Sequence, residues 1–303
     1  MWFKNLTLFR LTEPFTLTRA ELEQKLESLR FRPCGGHDEA SFGWTAPLGR
    51  GFESLVHSSN GYLMVCGKKE EKVLPASVIN EMLLEKILDI ETQQARKLSK
   101  KERTELKDEL IFELLPRAFS FSRNTYLYID PKGGWVVVDS ASSSKAEDLL
   151  SQLRQCLGSL PVVPVNTLQK PTTVMTEWLT HNETPTGLLI EDECELRSPE
   201  EKGGIVRCKK HDLALPEIKH HLETGKQVTN LALNWEERLA FVLNENLTVK
   251  RLRFLELIQE QAAETNAETE VEHFDVDFSI MTAELANFLP RLLELFGGEQ
   301  KAI

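Results

Sequence analysis

Between residues 76 and 116 the hydrophobic period of this chain is that of a helix, and it is interrupted once. Val78, Ile79, Met82, Leu83, Lys86, Ile87 and Ile90 form one stripe at spacings of three and four. Ser99 followed by Glu102 is a capping-box pattern, which restarts the helix. Leu106, Leu110 and Leu114 continue it, and Pro116 stops it. The block predicts a helical hairpin with few strand signals, projecting as a lobe of its own.

On either side the pattern changes to short strands and single helices. Phe3–Leu11 suits a strand, and Thr18 precedes a helix carrying Leu22, Leu26 and Leu29. Phe42–Trp44 and Tyr62–Gly67 read as strands, the second entered through the Asn60-Gly61 turn. Tyr126–Ile129 and Trp135–Val138 flank a turn, and Ala146, Leu149, Leu150 and Leu153 mark a helix ended by Gly158. A similar hairpin and helix recur over residues 228–262, with Leu252, Leu255 and Ile258 expected on the helix. Leu160–Val165 is stiff and extended, a crossover between halves. Residues 263–272 read as an acidic surface segment. Leu285–Phe296 returns to an apolar helical stripe, which Pro290 is expected to kink or delay. The expected class is α+β: a central region over 1–75 and 117–165, a helical tip over 76–116, and a second α+β base over 166–303.

No apolar run reaches the roughly 20 residues a spanning helix needs, and the N-terminus lacks a signal-peptide pattern. The five cysteines are scattered without a CxxC pair, which reads as reduced thiols in the cytosol. The formal net charge of −11 by itself argues against a nucleic-acid binder. The charge is segregated, however. Residues 202–253 carry a net +4, whereas 124–201 carry −7 and 254–303 carry −9. An acidic molecule of this kind can still present a basic surface.

Catalytic signatures are lacking: no phosphate-binding GxxxxGK[ST], no GxGxxG, no GxSxG and no HExxH. Cys194, Cys208, His211 and the pair His220/His221 do not have the close spacing of a zinc site, so neither metal nor other cofactor is expected. Asp275 and Asp277 lie two apart and share a face if their segment is a strand. Nuclease chemistry needs a third acid besides. Basic clusters are more informative. Lys100, Arg103 and Lys107 share one helix face at spacings of three and four. Lys209, Lys210 and His211 follow a strand-like stretch and read as a loop tip. Lys250, Arg251 and Arg253 form a third group. No interleaved aromatics accompany them, so any nucleic acid would be held by its backbone, as a duplex. Solvated surface charge is the competing reading for all three.

Several stretches together carry a family resemblance. They include Trp2-Phe-Lys-Asn-Leu6, Pro33-Cys-Gly35, Lys68-Lys-Glu-Glu-Lys-Val-Leu-Pro75, Gln94-Ala-Arg-Lys-Leu98, Leu115-Pro-Arg-Ala-Phe-Ser120 and Ala146-Glu-Asp148. Leu157–Pro164, Thr176-Glu-Trp178, Asp212-Leu213 and Phe274–Leu285 complete them. In these the chain resembles the RdgC family of recombination-associated DNA-binding proteins, along nearly its whole length. It departs at Ala283, where the family pattern has glycine, and at His211, where the family is more often amide-like. The resemblance implies a non-enzymatic binder of double-stranded DNA with little sequence preference. It implies a ring-shaped homodimer around the duplex, nucleoid-associated in the cytoplasm, that restrains RecA-promoted strand exchange. In such a ring Lys209 and Lys210, where the chain reverses after a strand, are expected to line the hole, with His211 adding charge only when protonated; the resemblance also favours Phe119 as a subunit contact. The alternative is a recombinase regulator that touches protein alone.

Overall fold

The computed structural model describes residues 1–200, 203–263, 265 and 267–300. The N-terminal half is organised by one antiparallel sheet of seven strands. These are β1 (Thr7–Leu11), β2 (Ala40–Thr45), β3 (Val56–Ser59), β4 (Tyr62–Val73), β5 (Phe119–Asp130), β6 (Trp135–Val138) and β7 (Val162–Pro164). Their order is β2-β4-β5-β6-β1-β7, with β3 also on β4. β4 is long enough for two neighbours on one edge: β3 pairs its first half and β2 its second. The extended Leu160–Val165 stretch is therefore partly an edge strand, paired to β1.

Alternation explains why this sheet is apolar on both faces. Leu8, Met64, Tyr128 and Val137 join one core, while Phe9, Val65, Leu127 and Val136 join another. The run Trp135-Val-Val-Val138 is buried throughout, as a strand covered on both sides must be. The second core is closed by α1 (Arg19–Leu26) and α4 (Ser143–Leu157). α1 starts after Thr18, as expected, at a capping box in which Thr18 and Glu21 satisfy each other's backbone N–H. Gly43 in β2 is required where the chain passes Phe31: a Cβ there would lie 2.3 Å from the Phe31 Cα.

The helical block forms as expected. α2 (Ala76–Gln94) and α3 (Lys100–Leu114) make a hairpin, and α3 starts on the Ser99/Glu102 capping box. Glu102 also binds Arg96. That hydrogen bond, with those from Ser99, holds its carboxyl down at about 2. The hairpin buries few of its apolar side chains; Val78, Leu84, Leu88 and Phe112 remain exposed. β5 begins earlier than expected, at Phe119. Phe119 and Phe121 thus stand on a strand and point the same way, 87% and 52% exposed.

α5 (Pro171–His181) leads into a five-stranded antiparallel sheet. Its strands are β8 (Leu188–Arg197), β9 (Ile205–Lys209), β10 (Gln227–Trp235), β11 (Leu239–Asn244) and β12 (Val249–Phe254), in the order β12-β11-β10-β8-β9. α6 (Pro216–Glu223) connects β9 to β10, and α7 (Glu256–Ala263) follows β12. Leu252, expected on a helix, lies in β12; only Ile258 of that expected stripe is helical and buried. The hairpin–helix repeat thus has a third strand in its second copy. Of the acidic 263–272 segment, Glu264 and Asn266 lie outside the described residues.

α8 (Glu270–Glu294) is one helix that continues through Pro290. It packs between the two sheets. Phe278 meets Tyr62 and Tyr128 on one side, and Phe288 meets Trp235 and Phe241 on the other. Its first half is tied to the N-terminal sheet by Ser59–Ser279 at 2.8 Å and His57–Asp275 at 3.1 Å, and Asp277 pairs with the N-terminal amine. Asp275 and Asp277 therefore do not share a face: two residues along a helix turn the side chain by about 200°. Among the described residues no helix is long and apolar enough to cross a membrane.

Candidate nucleic-acid interface

One face of the five-stranded sheet is charged, and the period of two decides which residues occupy it. Along β8, Cys194 and Leu196 turn into the core while Glu193 and Glu195 turn away. β9 runs in register beside it, so Lys209 stands opposite Glu193 and Arg207 opposite Glu195. These pairs close at 3.9 Å and 2.7 Å. Arg251 reaches Glu193 at 2.7 Å and Arg253 reaches Glu191 at 3.8 Å from the other edge strand. Arg251 adopts a positive φ of 52°, at a register shift between β11 and β12. Burial opposes the charge on Glu195, yet hydrogen bonds from Arg207 and Thr229 and the charges of Arg207 and Arg197 hold its carboxyl below the usual range.

Glu191, Glu193, Lys209, Arg251 and Arg253 line a shallow basin of about 850 Å³ over Ala232 and Val242. Its walls carry Lys4, Lys209, Lys210, Arg251 and Arg253 against Glu191, Asp192 and Glu193. Lys4 arrives because the N-terminal segment lies along β12. Leu6 and Val249 exchange backbone hydrogen bonds at 2.8 and 3.0 Å, and Leu252 N–H donates to the Lys4 carbonyl at 2.8 Å. Lys4 carried no signal in the sequence for this position, since the pairing joins chain segments far apart. The acids on β8 do carry one, the Glu191–Glu193–Glu195 alternation.

Lys209 is the last residue of β9 rather than part of a loop. Lys210 follows in a left-handed turn at φ 52°. Lys210 makes no ion pair among the described residues. His211 contacts Glu217 at 2.6 Å, and its N–H donates to the Asp192 carbonyl. Asp212 does not pair with the lysines; its carboxylate accepts from the Ala214 N–H. Lys250 is half-buried on β12 and does not line the basin.

Lys100, Arg103 and Lys107 form a separate group along α3, all exposed. Arg103 is bound to Glu91 at 3.0 Å, and Lys97 joins the same carboxylate at 3.1 Å. Lys100 and Lys107 make no ion pair among the described residues. Among the described residues no group of three His, Cys, Asp or Glu side chains is placed to hold a metal.

Two antiparallel sheets clamped on one long helix, with an open face of lysine and arginine, define an α+β protein with a charged sheet surface. The family model described as "Putative exonuclease, RdgC" matches residues 1–299. A protein named "Recombination-associated protein RdgC" from Aeromonas hydrophila subsp. hydrophila is 49% identical over 303 residues, covering 100% of both chains. Its namesake from Tolumonas auensis is 50% identical over 300 residues, covering 99% of each chain. That from Pseudomonas aeruginosa is 46% identical over 301 residues, covering 99% of this chain and 98% of the relative. The chain belongs to the RdgC family.

Proposed function

We propose that the protein binds double-stranded DNA without regard to sequence, as a homodimeric ring that encircles the duplex. The observation that carries this reading is the basin rimmed by Lys4, Lys209, Lys210, Arg251 and Arg253. Lysines on a strand end and a turn reach phosphates without burying their charge, and a flexible point charge contacts phosphate in many geometries. The carboxylates beneath them hold the long side chains in place and yield them to phosphate. In this reading residues 1–75 with 117–165 form the centre, 76–116 the tip and 166–303 the base. The relatives' names tie the family to recombination, and a dimer occupying the duplex would restrain RecA-promoted strand exchange in the nucleoid. The role is binding, not cleavage.

The direct test is Lys209→Ala/Lys210→Ala. It should weaken binding to every duplex by a similar factor and make the logarithmic salt slope shallower by about 1 for each phosphate no longer neutralised. Thermal stability should be unchanged, because both side chains are exposed. An unaltered slope in the folded variant moves the DNA surface to Lys100, Arg103 and Lys107. No binding by the unmodified protein at low salt favours the regulator that touches protein alone. Magnesium-dependent shortening of a duplex would favour the exonuclease in the family model's description.

Ring closure has its own test. Phe119 is 87% exposed in the single chain, so core packing does not hold it. An aromatic anchor covered by a second copy contributes about 2 kcal/mol or more. Phe119→Ser should therefore weaken closure of the ring, and with it DNA binding, roughly 30-fold. The melting temperature of the monomer should stay within a degree or two. Unchanged dimerisation by sedimentation would remove Phe119 from the interface.

A further inference from the structure

Cys194 and Cys208 have no part in the reading above. They stand directly opposite each other on β8 and β9. Ser198 N–H donates to the Gly204 carbonyl at 3.1 Å. Steps of two residues from that pair reach 196–206 and then 194–208, so the cysteines occupy a hydrogen-bonded pair. Such pairs hold their Cα atoms about 5.5 Å apart, within the roughly 4.4–6.8 Å that a disulfide bridges, and their Cβ atoms up to about 5.5 Å apart, so closing the bond draws the edge strand about 1 Å toward its neighbour. Both side chains turn to the core face, where Cys194 is 2% exposed and Cys208 is half-buried against the same cluster. Both are free thiols. The other cysteines are differently placed. Cys34 donates to the Glu70 carbonyl, Cys66 lies beside Tyr126, and Cys156 accepts from the Trp44 indole.

We propose that Cys194 and Cys208 are an oxidation-sensitive dithiol, which hydrogen peroxide closes into a reversible cross-strand disulfide. Cys208 is the entry point because solvent reaches it. Its thiolate attacks the peroxide, an S–O bond forms as the O–O bond breaks, and the departing hydroxide takes up a proton as water. Cys194 then attacks the Cys208 sulfur. The S–S bond forms, the S–O bond breaks, and the leaving hydroxide takes the Cys194 proton. The two thiols lose two electrons and two protons to one peroxide, which becomes two waters. Burial and the neighbouring Cys208 push the Cys194 thiol up to about 12, which suits it to the second step rather than the first. The bond would fasten β9, an edge strand with β8 as its one neighbour, beside Lys209. This thiol chemistry is independent of DNA binding.

The test is peroxide treatment of the full-length protein, followed by alkylation under denaturing conditions and peptide mapping. The expected product is a peptide pair joining Cys194 to Cys208, with a mass loss of about 2 Da and two fewer alkylations. Dithiothreitol should reverse it, and amide exchange over Val206–Lys209 should slow in the oxidised form. In Cys208→Ser the joined pair should be absent while the protein remains folded. Full alkylation of both residues after peroxide would overturn the proposal. So would Cys208 oxidised to a sulfinic or sulfonic acid without a bridge, or Cys208 joined to a second chain.

Discussion

Raising the salt concentration from about 50 to about 200 mM is expected to weaken duplex binding on the order of 10³-fold. The magnitude follows from a count of phosphates. If three of the five basin cations, Lys209, Lys210 and Arg251, each neutralise a phosphate, two copies bring six such contacts to a duplex. Each neutralised phosphate contributes about −0.9 to the logarithmic salt slope, so the slope should be about −5. The carboxylates make this shallower at the low-salt end than an isolated lysine patch would be. Glu193 holds Arg251 at 2.7 Å and Lys209 at 3.9 Å, and phosphate must compete with it for both. Two unrelated duplexes should give the same slope, because lysines and arginines that contact phosphates carry no sequence information. Anisotropy titrations at several salt concentrations measure it. A flat response, or a preference between duplexes above about 100-fold, would contradict a binding mode resting on the backbone alone.

The same basin shows which parts of the molecule are legible in the sequence. Local signals are reliable. Thr18 and the Ser99/Glu102 box start helices where expected, and Gly158 ends one. These depend on residues three or four apart, so a linear reading captures them. The lysines and arginines can be grouped by position, but not by what holds them. That Glu193 sits opposite Lys209, or that Lys4 lies beside β12, is fixed by strand register and by a bridge between residues 6 and 249. Such pairings have no local signature. Where periodicity misleads, tertiary burial has overridden it. Leu252 keeps a helical spacing to Leu255 yet belongs to β12, because its strand is buried on alternate positions. Asp275 and Asp277 suit a strand pair only if the start of their helix is missed. That start has a capping box too, Thr269 with Glu272, set in a polar segment with no apolar stripe to mark it.

The interior offers the second large effect. Arg238, in the tight turn between β10 and β11, donates through Nε and Nη2 to both oxygens of Glu284 at 2.7 and 2.6 Å. Glu284 lies on α8 and is 4% exposed, while the Arg238 side chain is 29% exposed. The fork geometry matches a carboxylate at both ends, and the pair pins the turn of the five-stranded sheet to the helix that both sheets share. The Glu284 hydrogen bonds hold the Arg238 guanidinium firmly in its charged form. Arg238→Ala would leave a buried carboxylate without its partner, a change that destabilises by about 3–5 kcal/mol. In urea this should read as a lower midpoint with an unchanged slope. The loss belongs to the stranded charge rather than to the pair itself. Arg238→Met/Glu284→Leu, which replaces both ends by apolar groups of similar volume, should therefore recover most of it. A single variant within about 1 kcal/mol of the parent would mean that water reaches Glu284 and supports it alone.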